Sequence, residues 1–223
     1  VVLPRALPLA APFEGWHNPG TGPQPWAPLS GLNGRYGIAS PFGFSLSGQG
    51  NCWIARNPEG IGQIVLTNGS KPTSVSTYAI NTAVAGYLRA STIANAEMLT
   101  YQQEGHTFVN TAFPSPMATW SYDVEAQGWA ERGKWNAVRG TWDLWAPRVY
   151  CLAFGQHLTA DRTTGVIAAM DTTFSTELDC TGIVRERIAP GWTHQHASIP
   201  FDQLALTIAV GFGTPTGQGP GPH

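Results

Sequence analysis

From Cys52 onward, apolar residues come in short runs bounded by turn-forming residues, the signature of many short strands. Cys52-Trp-Ile-Ala-Arg56 predicts a strand, Asn57-Pro-Glu-Gly60 a turn and Gly62-Gln-Ile-Val-Leu-Thr67 the next strand. Asn68-Gly69 turns the chain again. The period then switches. Ile80, Ala83, Val84, Tyr87 and Leu88 follow the i, i+3, i+4, i+7, i+8 spacing of one apolar stripe, so a single short amphipathic helix is predicted near 77–89, with Thr77 as its N-cap. Strands resume at Thr107-Phe-Val-Asn-Thr-Ala-Phe113. Pro114 to Met117 forms a turn, and Thr119-Trp-Ser-Tyr-Asp123 alternates aromatic with polar residues as a half-buried strand does. Gly128 to Arg132, Arg148 to Phe154, His157 to Asp161, Val166 to Asp171 and Leu204 to Val210 complete the predicted strands, with turns at Glu125 to Gln127 and Arg162 to Gly165.

Residues 1–36 break this rhythm. Pro4, Pro8, Pro12, Pro19, Pro23, Pro25 and Pro28 remove backbone donors and fix φ, which argues against a central strand or a helix interior. The stretch reads as an extended arm, with Trp16 and Trp26 anchoring it to a partner or to the body. Residues 37–192 carry the strand units. Residues 193–223 read as one further strand and a Gly-rich end, with the domain cut short there. The start at Val1, without Met or a long apolar segment, suggests a processed chain or a piece of a longer one rather than a signal peptide.

The strand units repeat. Trp53-Ile-Ala to Val65-Leu-Thr67, Phe108-Val-Asn to Ser121-Tyr-Asp123, and Leu158-Thr-Ala to Ala169-Met-Asp171 share one phrase, with copies spaced by roughly 50 residues, as in kelch-like propeller blades. Tyr122-Asp123 followed by Trp129 matches the kelch habit of packing an outer-strand aromatic between blades. A sheet with two apolar faces hides them only by stacking on others, and a radial array does so while sheltering its edges. A mainly β, partial β-propeller of antiparallel blades is therefore expected. A β-sandwich with evenly spaced hairpins is the alternative. Three copies are too few to close a ring, so either the chain is a piece of a longer protein or degenerate blades lie in the Pro-rich start and the Gly-rich end.

Composition narrows the function classes. Charged residues make up 12% of the chain against 42% hydrophobic, with 26 Gly, 18 Pro and 9 Trp. So few charges suggest a surface covered by neighbours. The formal net charge is −2 and Lys and Arg nowhere cluster, so nothing supports wrapping nucleic acid. A near-neutral surface instead lets DNA slide past. Cys52, Cys151 and Cys180 are odd in number and far apart, and are expected as buried free thiols. No apolar run approaches the roughly 20 residues of a membrane span.

Candidate chemistry is sparse. His194-Gln-His196 places two imidazoles on one strand face, but no third ligand lies nearby, so no metal is expected. His106 after Gly105 reads as capping a turn or packing on an aromatic. Asp161, Asp171 and Glu177 read as turn formers rather than a calcium loop or a glycosidase pair. Trp120, Trp129, Trp135, Trp142 and Trp145 could stack sugars or bases, yet with few cations nearby they read as blade packing. Arg185 and Arg187 share a face of a predicted strand and could bridge subunits, line a channel or face solvent. Nucleophile-elbow, phosphate-loop, zinc-protease and dinucleotide motifs are missing, so no catalytic residue and no cofactor are expected, and the chain reads as non-enzymatic.

Longer phrases resemble a known family. Tyr101-Gln-Gln-Glu-Gly-His-Thr-Phe-Val109, Thr111-Ala-Phe-Pro114, Thr119-Trp-Ser-Tyr-Asp-Val124 and Trp129-Ala-Glu-Arg132 resemble the central segment of the tail hub (nozzle, or packaged-DNA stabilisation) proteins of short-tailed bacteriophages. Ser76 to Ile80, Phe154 to Asp161, Gly165-Val-Ile167, Thr176 to Asp179, Ile183 to Pro190, Gly211-Phe-Gly213 and Gly217-Gln-Gly219 fit the same family, so the resemblance runs from about residue 37 to 221. It implies a propeller-bearing structural protein of the virion tail, assembled as a six-fold ring of copies below the portal and adaptor rings. It implies a passage for DNA, a seal on the packaged genome, a platform for needle or fibre proteins, and no membrane insertion. A kelch- or sialidase-like propeller enzyme or glycan-binding module is the alternative, although the Asp-box of sialidases is missing. A cellular kelch-type interaction module is a third reading.

Overall fold

A computed structural model describes residues 2–4, 13–20, 25–56, 62–69 and 71–188. The chain divides into a unit of residues 1–184 and a second unit, residues 185–223, of which only 185–188 are described. The predicted turn at 57–60, the strand at 204–210, His194 and His196 and the Gly-rich end lie outside the described residues. So does most of the predicted segment 193–223.

Among its described residues the first unit is mainly β, built from four successive antiparallel sheets and one helix. The first blade holds β1 (Val2–Pro4), β2 (Phe13–His17) and β3 (Ala27–Gly34), with β2 in the middle. It lies inside the Pro-rich stretch. Its prolines, Pro4 and Pro28, sit on the edge strands, and the central strand has none, as the loss of a ladder donor requires. Phe13 and Leu32 anchor this blade by packing with Trp53, Ala55 and Val65, and the Phe13 and Trp53 rings lie 5.9 Å apart. Trp26 is exposed and Trp16 half-buried.

The second blade holds β4 (Gly37–Ile38), β5 (Phe44–Ser47), β6 (Gly50–Arg56), β7 (Gly62–Thr67) and β8 (Thr73–Ser74). Both β4 and β5 pair with β6. Gly50 carries φ +139°, and a Cβ there would meet the Thr67 carbonyl at 2.1 Å, so only glycine fits. The helix α1 (Tyr78–Ala90) follows, and Thr77 caps it by accepting from the Ile80 N–H. Its stripe behaves as the spacing predicts. Ile80 and Val84 are buried, and Tyr87 and Leu88 pack beside them on the core.

The third blade holds β9 (Glu97–Gln103), β10 (His106–Phe113), β11 (Ala118–Asp123), β12 (Gly128–Asn136) and β13 (Thr141–Leu144) in chain order. The fourth holds β14 (Pro147–Ala153), β15 (Gln156–Asp161) and β16 (Ile167–Ala169). The three sequence copies occupy equivalent places in blades two to four. Each is an adjacent antiparallel pair, with Trp53 opposite Val65, Asn110 opposite Ser121, and Leu158 opposite Ala169.

Several expectations change. The β11 strand is buried on both faces rather than half-buried, because Thr119 and Ser121 are covered as well as Tyr122. The last strand of the fourth blade is shorter than 166–171. Phe154 and Gly155 form the β14–β15 turn, so Phe154 lies just past the strand. Arg185 and Arg187 lie on exposed irregular backbone, with no strand to set them on a shared face. Of the three cysteines only Cys52 is buried. Cys151 and Cys180 are exposed, since most of the β14 side chains face solvent and Cys180 sits in a turn at φ +63°.

Candidate functional site at the inter-blade seams

Strand β5 of blade two, β9 of blade three and β14 of blade four lie side by side. Ser45 on β5 donates from Oγ to Thr100 Oγ1 on β9 at 2.7 Å, and just before β5 a parallel bridge joins Phe42 to Glu97. Tyr101 on β9 faces Tyr150 on β14 with ring centroids 5.8 Å apart. Successive meanders with such neighbouring strands are what blades around a common centre produce.

The seam between blades two and three is apolar. Alternation along β10 and β11 sends Val109, Phe113, Trp120 and Tyr122 toward blade two, where they pack with Ile54, Ile64 and the helix residues Ile80 and Val84. Trp120 Nε1 donates to the Tyr87 hydroxyl at 3.1 Å, and Trp129 Nε1 donates to the Val75 carbonyl at 3.0 Å. Trp129 packs against Tyr122 across the strand pair with the rings tilted, so the kelch-like aromatic holds two blades together. Cys52 is sealed in this cluster, and burial pushes its thiol up to about 12.

The seam between blades three and four has another chemistry. The opposite face of β10 and β11 presents Asn110, Thr119 and Ser121, all buried. Among the described residues, Asn110 Oδ1 and Ser121 Oγ have no hydrogen-bond partner. Arg132 stands over the rings of Tyr101, Phe108 and Trp145 at 5.0 to 5.5 Å and donates to the Tyr101 hydroxyl. Burial raises the Tyr101 phenol, and Arg132 opposes that shift. At the inner end, Glu97 holds two arginines of blade four, Arg148 at 2.9 Å and Arg162 at 3.0 Å. The Glu97 and Arg162 side chains are only 15% and 14% exposed. Arg162 also donates to the carbonyls of Trp145 and Pro147 at either end of the short link into β14. At the outer end, Lys134 pairs with Asp179 and holds its carboxyl down to about 2.

The weighed residues fall as follows. His106 Nδ1 lies 2.8 Å from Asp123 Oδ2 and its ring stacks on Phe108, so it combines a turn clasp with an aromatic contact. His106, Asp123 and Glu125 bring ligand-type atoms within 4.8 Å. Those oxygens already accept from protein donors. Glu125 takes the Thr107 N–H and hydroxyl, and Asp123 Oδ1 takes the N–H groups of Glu125 and Ala126. The geometry is that of a hydrogen-bonded turn. Asp161 and Asp171 accept from the N–H groups of Thr163, Thr164 and Thr173, as turn formers do. Trp120 and Trp129 pack between blades, and Trp145 lies under Arg132. Trp135 and Trp142 form an edge-on pair across β12 and β13, with Trp135 partly exposed. No motif announced the Glu97 clasp, whose partners lie 51 and 65 residues away and meet only through blade stacking.

No curated protein matches the chain. A family model described as "Bacteriophage P22 Gp10, beta-propeller" matches residues 13–175, from the central strand of the first blade past the last strand of the fourth. The match covers well over half of the chain and spans the four described sheets apart from β1. The chain belongs to this family of phage β-propeller proteins, virion-associated structural proteins that stabilise packaged DNA.

Proposed function

We propose that the chain is a non-enzymatic component of the phage tail hub, or nozzle. Copies assemble as a six-fold ring that meets the portal and adaptor rings above and needle or fibre proteins below. DNA passes through the ring without being read. The family match over residues 13–175 carries this reading.

Surface chemistry supports a passage that does not grip DNA. The net charge is −2. Arg139, Arg148, Arg162 and Lys134 are each tied to a carboxylate, which leaves them poorly placed to neutralise phosphates. Stiff stacked sheets suit a part that must hold shape under internal pressure, because packed interiors are close to incompressible.

Imaging of purified particles tests the reading. Density for four consecutive antiparallel sheets of this chain, in a ring at the tail vertex, is the expected result. Density for it in the capsid shell, or its absence from finished particles, would overturn the tail assignment.

A further inference from the structure

We infer that the fourth blade, residues 147–169, opens as a separate unit and that Glu97 is its latch. The observation is the unequal chemistry of the seams. Blades one to three are joined by two apolar clusters, one around Trp53 and one around Phe113, and neither contains a residue of β14, β15 or β16. Blade four is held by polar and aromatic contacts instead. Thr159 is its one buried residue, and its outer side leaves Val149 and Ile167 exposed.

Apolar burial is non-directional and survives small shifts, whereas a polar seam depends on geometry and is lost as a set. On the face of β10 and β11 turned away from blade two, Asn110 and Ser121 hold buried oxygens that no described residue bonds. Besides the ring contact of Tyr101 with Tyr150, what opposes opening is gathered on one carboxylate. Glu97 gathers Arg148 from β14 and Arg162 from the β15–β16 turn, and Arg162 ties the carbonyls of the link preceding β14. The outer pair Lys134–Asp179 and the bond from Thr172 to Glu104 are exposed and contribute little. A short link, a nearly buried ionic clasp and no shared apolar core make a hinged element with one latch.

Native-state hydrogen exchange on the intact chain tests this. In the unaltered protein, the ladder amides of β14 to β16 should exchange at least about tenfold faster than those of β10 and β11. Glu97→Gln removes the charge and keeps the shape. It should speed exchange in blade four by a further factor of about ten and leave β6, β7, β10 and β11 unchanged. Arg148→Gln removes one exposed arm of the clasp and serves if Glu97→Gln does not fold, with a smaller shift in the same segment. Equal exchange in blades three and four of the unaltered protein would overturn the inference. So would a variant that speeds every blade alike.

Discussion

Ser45 and Thr100, 55 residues apart, share a 2.7 Å hydrogen bond between β5 and β9, neighbouring strands of two consecutive blades. That bond ties sequence period to architecture. A repeat of this length returns the chain to the same radial position, and polar side chains at that position meet those of the next blade. The same register brings Tyr101 to Tyr150 one blade further on.

The first blade depends on Phe13. Its ring is fully buried against Trp53, and the sheet around it is small. Phe13→Ala should cost about 3 to 5 kcal/mol, read as a lower thermal midpoint in differential scanning calorimetry. A loss below about 1 kcal/mol would mean that the Pro-rich sheet is not docked.

Phe154 occupies the first turn position between β14 and β15 at φ +55°, is 97% exposed, and is followed by Gly155 at φ +72°. Two successive left-handed residues favour Asn-Gly, and a bulky side chain is strained there. Phe154→Asn should stabilise the protein by about 0.5 to 1 kcal/mol in urea titrations. Destabilisation would show that the ring has a partner within the chain.

The thiols should sort by exposure. Cys151 and Cys180 should react quickly with a disulfide reagent at mildly alkaline pH, while Cys52 reacts only after denaturant is added. Two fast thiols and one protected thiol are the expected count, and rapid reaction of all three would contradict the packing around Cys52.

Acid should weaken the fold. Hydrogen bonds from Thr164, Thr173 and Thr107 hold Asp161, Asp171 and Glu125 below the ordinary carboxylate range, and Lys134 holds Asp179 down to about 2. Groups lowered in the folded state contribute stability above their unfolded values, near 4, and lose it as pH falls through the lowered ones. Glu131 and Glu177 are raised by burial and act in the opposite sense. The four lowered groups outnumber them, so the denaturation midpoint should fall between about pH 5 and pH 2.5. A flat or rising midpoint would contradict these hydrogen bonds.

The middle strands of blades two to four and the helix were legible in the sequence because their periods are clean. Gly62–Thr67 and the Thr77 cap fall where pattern and capping place them. The strands at the junction of blades two and three, β5 and β9, were not legible. Glu97-Met-Leu-Thr-Tyr-Gln-Gln103 shows no alternation, since its residues meet blades on two sides. Prolines hid the first blade, because a proline on an edge strand and one in a loop read alike. Buried Thr119 and Ser121 read as a solvent face, and Arg185 to Arg187 alternated in sign without forming a strand. The Glu97 clasp is long-range, and local pattern cannot announce it.

Retention of the genome tests the central claim most directly. Particles assembled without this chain should package DNA and then lose it, leaving the genome open to added nuclease, and adding the purified chain should restore protection. Nuclease-resistant, fully packaged particles that remain stable without the chain would contradict the account.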